Sequence, residues 1–174
     1  MRPIRTIAVT SLAVIAMLGP LPAGAQAGQS HASGTRHGVA PVAVRPHASR
    51  PQRAPNFGLQ MFRSTNFSRH RYGLRPLARN LAASRAAARH SLAMARGHRL
   101  FHSSSMRPYL RGVGRWTSWG ENIGMTSGSV ADLQRAFMAS SVHRTHILSR
   151  AFRHVAVGAV MYRNRLWVTL VFYG

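Results

Sequence analysis

The chain has 174 residues, with 24 basic side chains, 2 acidic ones, a formal charge of +22 and no cysteine. Every basic side chain apart from histidine is an arginine. Without disulfides the hydrophobic core alone must hold the fold, which calls for a domain near or above ~100 residues. The charge implies attraction to anionic surfaces and polymers without choosing among them.

Taken in chain order, the first segment has the form of an export signal. Arg2 and Arg5 precede an apolar run from Ile7 to Leu18, and Gly19, Pro20 and Pro22 lead to the small triplet Ala23-Gly24-Ala25. The run is shorter than the ~20 apolar residues of a spanning helix, and small cleavage-type residues follow it at once. Residues 1–25 are therefore expected to be a cleaved signal peptide, leaving a secreted or periplasmic protein with no transmembrane segment. Only Arg2 and Arg5 are lost with it, so the mature chain stays strongly cationic. Export makes nucleic acid an unnatural partner and favours anionic envelope polymers or lipids.

Residues 26–56 are expected to be a disordered basic linker. Pro41, Pro46, Pro51 and Pro55 break helices, and Val39, Val42 and Val44 are too few for a core. Its histidines His31, His37 and His47 fit a solvated linker better than a metal site.

Large apolar residues begin at Phe57, and the folded domain is expected to cover 57–174. Leu77, Leu81, Ala88, Leu92 and Ala95 recur at helical spacing, which predicts a helix over 77–96 stopped by Gly97. Residues 98–128 are rich in glycine, with a short strand expected near Trp116–Ile123. Ser129 stands three residues before Asp132, the spacing of a helix-capping box, and Val130, Leu133 and Phe137 continue a helical face. Asp132 then needs no catalytic role. The C-terminus predicts a hairpin, with strands over His154–Tyr162 and Leu166–Tyr173 and a turn at Arg163-Asn164-Arg165. Two helical regions followed by a hairpin point to an α+β fold.

With Asp132 assigned to a cap, Glu121 is the one acid left for chemistry. It lies among glycines, in Gly120-Glu121-Asn122-Ile123-Gly124, and suits a histidine N–H, a metal or backbone amides. His70, His90 and His154 are expected to be surface or packing residues. His102 follows Phe101 in the loop after the long helix. His143 and His146 are three apart and can share one helical face, a spacing that is weak evidence for zinc by itself.

Four segments, in this order and spacing, resemble the CAP superfamily (the SCP-like or cysteine-rich secretory protein domain) in its cysteine-free bacterial form. They are Asn66–Leu77 (NFSRHRYGLRPL), the Phe101-His102-Ser103 loop, Gly120-Glu121-Asn122-Ile123, and Phe137–Leu148 (FMASSVHRTHIL). The resemblance covers 57–174 and implies an α-β-α sandwich with a central antiparallel sheet. It also implies a cleft that gathers His102, Glu121 and His143. As candidate catalytic or binding residues these three form the site, with His102 and His143 as the candidate metal ligands. The cofactor would be Zn²⁺ or another divalent ion. The chain departs from the family pattern at Phe137, Val142 and His146; His146 replaces an asparagine and would crowd the site or add a ligand.

Three functions are open at this point. One is a binding module at the cell envelope whose cleft takes a small ligand or divalent metal. The second is a metal-assisted hydrolase of peptides or wall components. The third is a cationic toxin or antimicrobial protein acting through net charge.

Overall fold

The computed structural model describes residues 50–174 and, as two short strands, residues 7–8 and 15–17. The rest of the expected signal peptide and the linker up to residue 49 lie outside the described residues. The strands are β1 (Ile7–Ala8), β2 (Ile15–Met17), β3 (Gln52–Arg53), β4 (Ala78–Arg79), β5 (Ser118–Thr126), β6 (His154–Tyr162) and β7 (Arg165–Tyr173). The helices are α1 (Pro55–Arg71), α2 (Leu81–Arg96), α3 (Arg107–Leu110), α4 (Val130–Ala139) and α5 (Ser141–Leu148). One sheet runs in the order β1-β5-β7-β6-β3, and its three long strands, β5, β7 and β6, are antiparallel neighbours. β1 and β2 pair in parallel with β5, and β4 pairs in parallel with β6. This is the expected α-β-α arrangement.

The hairpin follows its sequence pattern closely. Tyr162 pairs with Arg165, so the turn is the two residues Arg163 and Asn164, with φ of 47° and 57°. Two left-handed residues in a two-residue loop match the twist of the strands they join. The capping box is present as well: the Ser129 hydroxyl accepts from Asp132 N–H, and the Asp132 carboxylate accepts from Ser129 N–H. These bonds, with the adjacent Arg135, hold the Asp132 carboxyl below the usual carboxylate range.

Two expectations need correction. The folded part begins earlier than residue 57, because β3 pairs with β6 and α1 starts at Pro55. The long α1 was not anticipated, because its buried stripe is Gly58, Met61, Thr65 and Arg69, of which only Met61 is a large apolar residue. The helix expected over 77–96 starts at Leu81, capped by the Asn80 side chain, which accepts from Ala83 N–H. Its core face shares Ala88 and Ala95 with the expected one but is centred elsewhere. Leu81 is 62% exposed, while Ala83, Ala87, Ala95 and Met94 are buried.

Those alanines let α2 lie directly on the sheet. A β-carbon added at Gly158 of β6 would stand 2.2 Å from the backbone of Ala87 and Ala88. Ser91 and Ser84 add polar ties at this contact. Ser91 Oγ is 2.9 Å from Thr169 Oγ1, and Ser84 Oγ accepts from Val157 N–H at 3.0 Å.

The pairing of β5 with β7 is unbroken from Trp119 to Thr126, so side chains alternate strictly between the two faces. One face carries Ile123, Met125, Ala156, Val160, Trp167 and Val171 and packs under α2 and α3. The other carries Val155, Val157, Val168, Leu170 and Phe172 and packs against Met61, Leu133, Phe137 and Ile147 of α1, α4 and α5.

The Asn66–Leu77 segment ties α1 to the rest. Asn66 exchanges two hydrogen bonds with the Leu77 backbone, and Gly73 makes the left-handed turn at φ 64°. Arg69, 2% exposed, donates to the carbonyls of Arg75, Ile147 and Ser149. The last two are at the C-terminal end of α5, where a cation is favoured. Burial, and secondarily the charge of Arg153, pulls the Arg69 guanidinium below its ordinary range.

Candidate functional site

Glu121 leaves β5 on the α2 side, the parity of Ile123 and Met125. The loop after α2 folds back over it. His102 Nδ1 stands 2.8 Å from Glu121 Oε2, and Ser103 N–H donates to the same oxygen at 3.0 Å. A carboxylate oxygen accepts, so Nδ1 carries the hydrogen and fixes the tautomer of the neutral ring. The other nitrogen, Nε2, is buried and has no hydrogen-bond partner. His102 and Glu121 thus form an oriented imidazole–carboxylate couple with one ring nitrogen free to accept. The side chains are only 15% and 3% exposed, so the couple is almost wholly enclosed by the protein.

Two further residues complete the pocket, and neither was anticipated. His90 of α2 places Nε2 3.9 Å from Glu121 Oε1 and donates to the Phe101 carbonyl at 2.8 Å. Tyr109 of α3 is 5% exposed and meets His90 edge-on, with ring centres 5.9 Å apart. The sequence held one hint for His90: it is four residues before the buried Met94, hence on the same face of α2. Tyr109 carried no such hint, since a four-residue helix leaves no periodicity to read.

Burial pushes the Tyr109 phenol above the ordinary tyrosine range; the nearby Ser103 hydroxyl opposes this, and the charge of Glu121 adds to it. Tyr173 is raised too, by burial against an opposing bond from Asn80. For a phenol held neutral by the fold, stability is full below about pH 10, where the unfolded phenol ionises, and is lost as pH rises toward the folded value. In an alkaline titration, tyrosinate absorbance from these two residues should appear only together with loss of the native circular dichroism. Ionisation of all four tyrosines with the fold intact would contradict this burial.

His143 does not join His102 and Glu121. Asn122, next to Glu121, leaves the opposite face of β5, and its Nδ2 donates to the His143 carbonyl at 3.1 Å. The His143 ring packs on Phe137 at 5.0 Å between ring centres, and its Nδ1 is 2.9 Å from Ser140 Oγ. Phe137 belongs to the layer that covers Gly124, the face shared by Gly120 and Asn122. The sheet therefore stands between the two histidines expected to converge.

His146 is on the His143 side. Asn122 spends its amide on the His143 carbonyl, so its Oδ1 must accept from His146 Nδ1 at 2.7 Å. The ring fills the space over Gly120, where an added β-carbon would approach it to 2.7 Å. His146 crowds Gly120 and stays clear of Glu121.

The residues present do not fit the anticipated zinc set. Among the described residues no three histidine or carboxylate side chains gather as ligands, and His102 and His143 lie on opposite faces of the sheet. His90 Nε2 carries the hydrogen it donates to Phe101 and offers no lone pair there.

The sequence profile of the cysteine-rich secretory protein family (CAP) matches residues 62–172. No curated protein sequence matches the chain. Among solved structures, an extracellular protein containing an SCP domain from Bacillus anthracis is 30% identical, with a TM-score of 0.59 over 68% of this chain and 40% of that one. A cysteine-rich secretory protein from Staphylococcus aureus is 23% identical, with a TM-score of 0.58 over 68% of this chain and 38% of that one. An outer surface protein from Borrelia burgdorferi shares the fold at 9% identity, with a TM-score of 0.62 over 70% of this chain and 96% of that one. The chain spans only about two fifths of the length of the first two.

Proposed function

Since the chain belongs to the cysteine-rich secretory protein (CAP) family, we propose that it is an exported binding module of the cell envelope, with the His102–Glu121 pocket as its recognition point. The observation that carries this reading is the buried, unpartnered Nε2 of His102, aimed by the Glu121 carboxylate and the Ser103 amide. A neutral imidazole held in this way accepts one hydrogen bond from a small hydroxyl- or amide-bearing ligand, and leaving that nitrogen dry costs about 1–3 kcal/mol. The excess of arginine that remains after Arg2 and Arg5 are lost supplies electrostatic attachment to anionic envelope polymers or lipids. The names of the Bacillus and Borrelia neighbours, extracellular and outer-surface proteins, agree with a location outside the cytoplasm.

One observation favours an enzyme as the second reading. A carboxylate-oriented imidazole with a free Nε2 is also what a general base requires. Yet no serine hydroxyl among the described residues is bonded to that nitrogen, and Ser103 Oγ donates to the Ser105 carbonyl instead. A hydrolase would have to act on water bound at Nε2.

Sedimentation with isolated cell walls and with anionic vesicles separates these readings. Retention should fall steeply as salt rises, leaving a salt-resistant fraction that His102→Ala and Glu121→Gln remove. No new amino termini should be released from wall peptides. Release that His102→Ala abolishes would replace the binding reading with the enzymatic one, and retention unaffected by either salt or substitution would reject both components.

A further inference from the structure

A second site stands apart from the His102–Glu121 pocket. Between the start of α1, the start of α2 and the β6 edge of the sheet lies a cavity of about 360 Å³, lined by Arg53, Arg79 and Arg85 together with Gly58, Val157 and Ala159. The three arginines come from three different elements, β3, β4 and α2. None of them has a carboxylate. Glu121 is engaged by His102, Asp132 by Ser129 and Arg135, and no ion pair among the described residues involves Arg53, Arg79 or Arg85.

Arg79 is the most constrained of the three. Its guanidinium lies 6.0 Å from the centre of the Phe62 ring, and its Nε is buried with no hydrogen-bond partner. Its Nη2 would be 3.8 Å from a β-carbon at Gly58, so the glycine leaves open the space in front of the guanidinium. Three like charges around one hollow repel each other, and a buried guanidinium N–H without an acceptor costs free energy. An anion in the hollow, within reach of Arg79 Nη2, relieves the repulsion.

We propose that this cavity binds a phosphate ester. Phosphate matches the planar fork of arginine, offers enough oxygens for three guanidinium groups, and carries the charge that the site lacks. The volume exceeds that of a bare ion, and Pro55, Leu81, Val157 and Ala159 give it apolar walls. That leaves room for the organic part of the ester. A lipid headgroup and a free phosphorylated small molecule share this chemistry. The site does not depend on His102 or Glu121, and it predicts saturable binding, which a diffuse positive surface does not give.

The test titrates the full chain with glycerol 3-phosphate in a calorimeter at fixed ionic strength. In parallel, the chain is sedimented with phosphatidylglycerol vesicles, with phosphatidylcholine vesicles as the blank. Arg79→Gln and Arg85→Gln should each weaken binding at least about tenfold, as loss of a charge-assisted pair implies. Arg85 is exposed, so its variant keeps the fold even if Arg79→Gln does not. Arg63→Gln removes the same charge from a separate groove between α1 and α4 and should leave the affinity almost unchanged. Arginine-dependent saturation by glycerol 3-phosphate assigns a free ester, and saturation by phosphatidylglycerol vesicles alone assigns a lipid headgroup. An equal loss in Arg63→Gln, or failure of both probes to saturate, overturns the site. Neither result bears on retention through His102, which is read separately with the His102→Ala chain.

Discussion

Replacing Gly158 by alanine should lower stability by about 3 kcal/mol or more, near the upper end for overpacking substitutions. The new methyl carbon would overlap backbone atoms of Ala87 and Ala88 at 2.2 Å, and backbone in mid-helix cannot rotate aside as a side chain can. The only relief is to lift α2 off β6, which opens the contacts of Ala83, Ala86, Ala87 and Met94 together. In thermal unfolding the midpoint should drop by roughly 10 °C or more for a domain of this size. Gly114→Ala is the control: nothing lies within 4 Å of its added methyl, and its change should stay within about 0.5 kcal/mol. A small effect at Gly158 would mean that α2 does not sit where it is described.

The second large effect is expected at Arg69. Arg69→Ala leaves the carbonyls of Arg75, Ile147 and Ser149 without their donor, two of them at the end of α5. Each unsatisfied buried group costs about 1–3 kcal/mol, so the loss should be about 3–5 kcal/mol. In urea the midpoint should fall while the slope of the transition is retained. Arg69→Lys keeps the charge but lacks the planar fork, and should recover only part of the loss. Arg71, two residues on and exposed, should tolerate alanine. If Arg69→Ala and Arg71→Ala behave alike, Arg69 is not the clamp between α1 and α5.

The legible parts of the sequence were those whose burial pattern is apolar or whose chemistry is local. The hairpin announced itself through valines and aromatics, and the α4 cap through Ser129 and Asp132 within one turn. Helix α1 was hidden because the residues it buries, Gly58, Thr65 and Arg69, are ones that hydrophobic periodicity ignores. For α2 the periodicity found the helix and part of its buried face, Ala88 and Ala95, but missed Ala83, Ala86 and Ala87, since leucine outweighs alanine in such a reading. Here close approach favours alanine.

At the site, the grouping of His102, Glu121 and His143 came as a whole from the resemblance to the family, because no local pattern says which side of the sheet each residue serves. Only the placement of α5 on the Asn122 face shows that His143 is on the far side. His90 reaches Glu121 because α2 lies on that face of the sheet, and Tyr109 does so through the tertiary course of the loop after α2, which no local pattern encodes.

The strict alternation of β5 bears on how this protein can vary over evolutionary time. Glu121 and Asn122 are neighbours that serve opposite layers, one the loop after α2 and the other α5. Inserting or deleting one residue between Trp119 and Glu121 would exchange their destinations, sending the carboxylate toward His146 and the amide toward His102. A substitution at either position damages one layer, whereas a frame-preserving change in length damages both at once. Lineages of this domain should therefore tolerate amino-acid replacement in the strand far more readily than gaps. Length variation should accumulate instead in the loop that follows α3, which carries none of these residues.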